Sequence, residues 1–221
     1  MFREIPDLLG RSEVERLRAI AARAQFVDGR ISNPHSTVKN NLQLNDAGAY
    51  QQSSQIVLDA MAAHEDFQNF AFPVAIAPPL MTRYTAGMRY GAHHDMAYIR
   101  GPQGLVRSDL SCTVFLGDPD SYEGGALRVT LGSAELRFKG KPGSAIVYPS
   151  DTLHEVEEVT SGERWVAITF MQSRIKDPWR RAMLYELNEV AALEGLKMDP
   201  ANYARLQLVQ QNLLRYWGDQ P

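Results

Sequence analysis

The spacing of apolar positions changes twice along the chain, and the changes divide it into three stretches. Near the N terminus, Val14, Leu17, Ala21 and Ala24 recur at helical spacing and give one apolar face. Ser12 followed by Glu15 supplies a side-chain pair that satisfies the free N–H groups of a helix start, so a helix is predicted over 13–26. The run Asp28-Gly29-Arg30-Ile31-Ser32-Asn33-Pro34 breaks it, and the polar segment through Asn45 shows no readable period. A second helix is predicted from Tyr50 to Glu65, with Val57, Ala60 and Met61 inward. His64 at its C-terminal end is a favourable partner for the helix dipole, and His35 reads as a solvated loop residue.

From Phe70 onward the period shortens. Runs at 74–76, 80–85, 88–95, 110–116, 126–130, 134–138, 145–148, 153–159 and 165–170 read as strands, and Leu131-Gly132-Ser133 as a tight hairpin connection. Many short strands broken by Gly and Pro argue a sandwich or barrel. Residues 98–108 are predicted as a mobile loop that can act as a lid.

After Ser173 helical spacing returns. Asp177-Pro178 and Asp199-Pro200 each combine an N-cap with a proline at the first helical position. Met183, Leu187 and Val190 form the predicted face of the first helix, ended by Gly195; Tyr203, Leu206, Gln210, Leu213 and Trp217 form that of the second. A hairpin over 177–221 is too small to be stable alone. It is expected to dock on residues 1–176, with a homodimer contact as the alternative.

The 221 residues suit one large domain with an appendage. With 44% apolar and 22% charged residues the chain is an ordinary globular one, and its net charge of -3 argues against a nucleic-acid partner. The single cysteine, Cys112, excludes an internal disulfide framework and reads as a small buried apolar residue. No basic-plus-apolar leader and no apolar run near eighteen residues is present, so no membrane partner and a cytoplasmic location are expected.

The candidate chemistry lies in the β stretch. His93 and Asp95 sit two apart, a spacing that puts both side chains on one face of a strand and turns His94 away. His154 is the candidate third ligand. Two histidines and one carboxylate on one face of an octahedron suit non-haem Fe(II) and leave positions open for substrates. Arg164 follows His154 by ten residues, and its planar fork matches a carboxylate. Iron together with a carboxylate clamp points to a 2-oxoglutarate-dependent oxygenase. His-x-Asp alone is weak in a chain with five His and 26 acidic residues, and Arg164 could instead pair with Glu163 or Glu158. The order of the four residues carries the reading.

Arg83-Tyr84, Gly87, Tyr90-Gly91, His93, Asp95 and Ala97 resemble the first motif of bacterial PKHD-type hydroxylases, which belong with the prolyl-4-hydroxylase-like Fe(II)/2-oxoglutarate dioxygenases. The likeness runs on through 109–116, 122–125, Tyr148-Pro149-Ser150, 153–156, 159–164 and Gln172-Ser173, with fainter echoes at 27–30 and 39–41. Two positions depart from the family pattern: Ala126, where the family has Glu, and His94 between the ligands.

The resemblance implies a mainly β fold, the double-stranded β-helix or jelly roll, with N-terminal helices and the C-terminal αα-hairpin. It implies Fe(II) on His93, Asp95 and His154, 2-oxoglutarate on Arg164 with the Tyr84 phenol nearby, O2 as oxidant and ascorbate as reductant. The expected reaction hydroxylates an unactivated C–H of a peptidyl or free amino acid or a small metabolite, releasing succinate and CO2. Tyr90, Ser111, Thr113 and Tyr148 are further candidates to line the cavity. The competing reading is a non-catalytic jelly-roll binding module, which has no use for Arg164. A cupin-type oxygenase is a third reading, and would use more histidines.

Overall fold

The computed structural model describes residues 1–101 and 104–218. In chain order its strands are β1 (Arg3–Ile5), β2 (Phe26–Asp28), β3 (Lys39–Asn40), β4 (Leu42–Leu44), β5 (Pro73–Ile76), β6 (Leu80–Thr85), β7 (Arg89–His93) and β8 (Tyr98–Gly101). There follow β9 (Gly104–Arg107), β10 (Leu110–Phe115), β11 (Tyr122–Gly124), β12 (Leu127–Leu131), β13 (Ala134–Phe138), β14 (Ala145–Pro149), β15 (Leu153–Val156) and β16 (Val159–Ser173). The α-helices are α1 (Arg11–Arg23), α2 (Ala47–Ala63), α3 (Glu65–Ala71), α4 (Pro178–Glu194) and α5 (Pro200–Trp217).

The strands build the expected jelly roll. A large sheet runs β1-β14-β10-β16-β6-β4-β2, with β5 and β11 also paired to β16; a smaller one runs β13-β12-β15-β7-β3, and β8 pairs only with β9. Strand alternation splits the large sheet into two chemically different faces. On β10 and β16, Leu110, Cys112, Val114, Ala167 and Met171 face the helices and pack with Val14, Leu17, Met61 and Phe67. Each Val, Leu, Met or Phe side chain buried there contributes about 1.5–3 kcal/mol. On the opposite face, Phe115, Val166, Ile146 and Tyr148 meet Leu127, Val129 and Val156 of the small sheet.

Several predicted boundaries shift. Helix α1 starts at Arg11, and Gly10, not Ser12, is its N-cap; Gly10 donates its N–H to Glu13 at 2.6 Å, while Glu15 pairs with Arg11. Asp46 caps α2, whose side chain accepts from Ala49, so that helix starts before Tyr50. His64 is the joint between α2 and the unpredicted α3, and its ring accepts from the Phe67 N–H. Residues 98–101 and 104–107 form a hairpin, not a loop; Pro102 and Gln103 lie outside the described residues.

The C-terminal caps fall where predicted: the side chains of Asp177 and Asp199 accept from the first-turn N–H groups of α4 and α5. The buried face of α4 does not. Arg181, Leu184 and Tyr185 face inward, whereas Met183 and Val190 are exposed. Tyr185 of α4 packs edge-on against Phe70, bonds Asp66 through its hydroxyl and lies under Arg3. No helix among the described residues is long and apolar enough to cross a membrane.

Candidate active site

His93, at the end of β7, and His154, on β15, are cross-strand partners in the small sheet. Their ring centroids stand 4.3 Å apart. Each ring uses Nδ1 on the backbone carbonyl two residues earlier, Gly91 at 2.8 Å for His93 and Thr152 at 2.9 Å for His154. A carbonyl only accepts, so Nδ1 carries the proton and the Nε2 lone pair is left for a metal. Aromatic contacts fix both ring planes: Tyr90 stacks on His93 at 3.6 Å, and Tyr148 meets His154 edge-on at 5.2 Å.

Asp95 lies beyond the end of β7, so its approach comes from the irregular segment after the strand and not from strand alternation. Its Oδ1 stands 3.9 Å from His93 Nε2 and its Oδ2 3.6 Å from His154 Nε2. One ligand atom from each of the three residues lies within 4.8 Å of the others. Burial, aided by His154, pushes His93 down to about 4, so its ring is neutral near neutral pH, the form that ligates metal. Burial also raises the Asp95 carboxyl above its ordinary range. Two imidazoles with Nε2 turned inward and a carboxylate that, among the described residues, has no Lys or Arg ion pair fit a hard-to-borderline divalent metal with N and O preferences.

Asp95 is held from behind. Ser111 Oγ donates to its Oδ2 at 2.6 Å, and the hydroxyls of Ser111, Ser150 and Ser108 continue the chain at 2.8 Å steps. His94 is exposed at the rim, its Nδ1 bonded to the Asp151 carbonyl at 2.9 Å.

Arg164 is 1% exposed and stands on β16 opposite Tyr84 of β6. Its guanidinium lies 5.0 Å over the Tyr84 ring, and its Nε has no hydrogen-bond partner. The neighbouring carboxylates are engaged elsewhere, Glu163 with Arg83 and Glu158 with Arg89. Tyr84 in turn accepts from Asn41 at 2.9 Å. Gly125, at φ +65°, leaves room for this arginine: a Cβ there would stand 3.2 Å from Arg164 Cδ and 2.8 Å from Val159.

The triad, Arg164, Tyr84, Tyr90, Ser111, Thr113 and Tyr148 all line one cavity of about 440 Å³ between the two sheets. That volume is in the usual range for a small-molecule site. Ala126 is buried outside this lining. Sequence reasoning missed Lys39, Asn41 and Arg100 as participants at the cavity and its edge. The faint family likeness at 39–41 was the one signal for the first two.

A family model described as the 2OG-Fe(II) oxygenase superfamily matches residues 79–172. Over 217 residues the chain is 64% identical to a PKHD-type hydroxylase of Sphingopyxis alaskensis, covering 98% of this chain and 99% of that protein. The chain belongs to the PKHD-type hydroxylases. A second PKHD-type hydroxylase, from Thermosynechococcus vestitus, is 40% identical over 99% of this chain and 100% of its own. A crystal structure of a Pseudomonas putida prolyl-4-hydroxylase superposes with a TM-score of 0.57 at 19% identity, covering 78% of this chain and 92% of that one. PKHD-type membership makes the protein a 2-oxoglutarate-dependent dioxygenase that requires Fe(II), and it sets aside the non-catalytic binding module.

Proposed function

We propose that His93, Asp95 and His154 hold the Fe(II) of this hydroxylase and that Arg164, beside Tyr84, grips the 5-carboxylate of 2-oxoglutarate. The observation that carries the reading is Arg164 itself. A buried guanidinium without a carboxylate partner is costly unless a ligand supplies one, and this one shares a cavity with the triad.

Bound iron with 2-oxoglutarate and O2 supplies the oxidising power to hydroxylate an unactivated C–H, with succinate and CO2 released. The chain's residues orient and shield. The Gly91 and Thr152 carbonyls keep both Nε2 atoms free of protons, and Ser111 keeps the Asp95 carboxylate turned toward them. Tyr148, Leu127 and Ile168 form an apolar wall that limits water at the reacting carbon. The substrate is a peptidyl or free amino acid, or a small metabolite. Ascorbate as reductant, a cytoplasmic location and residues 177–221 as a docked appendage complete the reading. The exposed Trp179, Met183, Val190 and Leu196 of that appendage support a homodimer contact.

Anaerobic Fe(II) protein titrated with 2-oxoglutarate should develop a metal-to-ligand charge-transfer band. Arg164→Ala should lose about 2–5 kcal/mol of 2-oxoglutarate affinity, roughly 30-fold or more, while retaining iron. Arg164→Lys should recover only part, because an ammonium lacks the bidentate fork. Equal affinities in native and Arg164→Ala protein would sink the assignment.

A further inference from the structure

We infer that Lys39 is a specificity-determining residue that holds a carboxylate of the substrate beside the metal triad. The inference rests on the iron and 2-oxoglutarate assignment above. Lys39 stands on β3 at the edge of the small sheet, in register with Tyr90, and lines the same cavity. It is 9% exposed. Its ammonium donates to Ser32 Oγ at 2.7 Å and lies 5.5 Å from the centre of the Tyr90 ring. Tyr90 in turn stacks on His93, so the charge sits one ring away from the proposed ligands.

Among the described residues no carboxylate pairs with Lys39. Asp28 and Asp95 attract it only at longer range; Asp28 is already bonded to Arg30, and Asp95 accepts from Ser111. A buried ammonium has three donors and a large cost of lost hydration, and a single hydroxyl offsets little of it. Charge counting points the same way. Lys39, Arg100 and Arg164 are the basic side chains lining the cavity, and Asp95 is the one carboxylate among the described lining residues. A dication and the dianion 2-oxoglutarate add nothing to that sum. Asp95 offsets one of these three cations, which leaves two positive charges in excess, among them the buried Lys39 and the exposed Arg100 at the mouth. A negatively charged group on the incoming substrate is what this arrangement accommodates, drawn in past Arg100 and seated on Lys39. Arg164 lies on the large sheet and Lys39 on the small one, so the two cations serve two different anions.

Bromide tests the site without iron. Crystals of the native protein soaked in bromide should show an anomalous peak in contact with Lys39 Nζ. Formate should displace it and formamide should not. Lys39→Gln should lose the peak and Lys39→Arg, which keeps the charge, should retain it; the native and Arg crystals decide the matter if the Gln protein does not fold. In the charge-transfer titration, whichever Lys39 variant folds should bind 2-oxoglutarate within about twofold of the native protein. Absence of bromide at Lys39, persistence of the peak in Lys39→Gln, or displacement by formamide as readily as by formate overturns the inference. So does a loss of 2-oxoglutarate affinity in Lys39→Gln as large as in Arg164→Ala, which would move Lys39 to the co-substrate. A native protein with no charge-transfer band, but with bromide at Lys39, would instead count against the iron and 2-oxoglutarate reading.

Discussion

The two faces of the large sheet are made by the same strands and could hardly differ more. Toward the helices, β10 and β16 present Leu110, Cys112, Val114, Ala167 and Met171, all closely covered by α1, α2 and α3. Toward the cavity the same strands present Ser111, Thr113 and Arg164, polar side chains among which the buried Arg164 Nε has no hydrogen-bond partner. One face spends its residues on stability. The other carries buried polar groups that a stable fold alone would replace with apolar ones, so its composition reports a ligand.

Substitutions should separate the faces. The largest effect is expected from Asp95→Ala/His154→Ala, which removes two of three proposed ligands. Iron content after anaerobic reconstitution should fall from near one per chain to background while the thermal unfolding curve of metal-free protein changes little; stoichiometric iron in the double variant would refute these ligands. On the helix side, Leu110→Ala should cost about 2–5 kcal/mol of stability, read by urea denaturation, and spare iron affinity in whatever protein remains folded. If both substitutions damaged stability and metal affinity alike, the division of labour between the faces would not hold. Ser111→Ala should weaken iron about 10–100-fold, the usual range for a partner that orients a ligand, measured by competition with a chelator; an unchanged affinity would make the serine chain mere packing.

The smallest effect concerns pH. In metal-free protein the folded pKa of His93 is lowered from an ordinary 6.5 to about 4. Between those values the unfolded chain takes up a proton that the folded chain refuses, so the stability contributed by a neutral His93 is intact above 6.5 and is lost as pH falls toward 4. The raised Asp95 carboxyl acts in the opposite sense, being protonated first in the folded protein. The difference between native and His93→Gln in urea midpoint should therefore shrink as pH is lowered from 7 to 5.

The sequence displayed the chemistry better than the geometry. His93, Asp95, His154 and Arg164 were legible because polar residues inside strand-like runs stand out, and their order along the chain narrows the reading. The caps at Asp177 and Asp199 were legible because a cap is a local contact. Strands of two to four residues, such as β1, β3 and β8, are too short to show a period and are made by tertiary pairing. The inward face of α4 was misread because Arg181 is buried by carbonyls, its guanidinium donating to Ile175, and a polar residue there hides the true stripe. Lys39 showed only in the faint family likeness at 39–41, because nothing local tells that β3 will lie along β7.

Strand β16 pairs with β11 at its start, then with β6 and β10 along its middle, and with β5 at its end. It therefore works as a ruler whose markings are read on both sides at once. Shift it by a single residue and Trp165, Ala167 and Met171 would turn into the cavity, while Arg164 would turn into an oily layer holding no acid to meet it. No partial error is possible: the protein either has its proposed anion clamp and its helix-covered core together, or it has neither. An insertion or deletion anywhere between Val159 and Ser173 is thus a change to every face the strand serves.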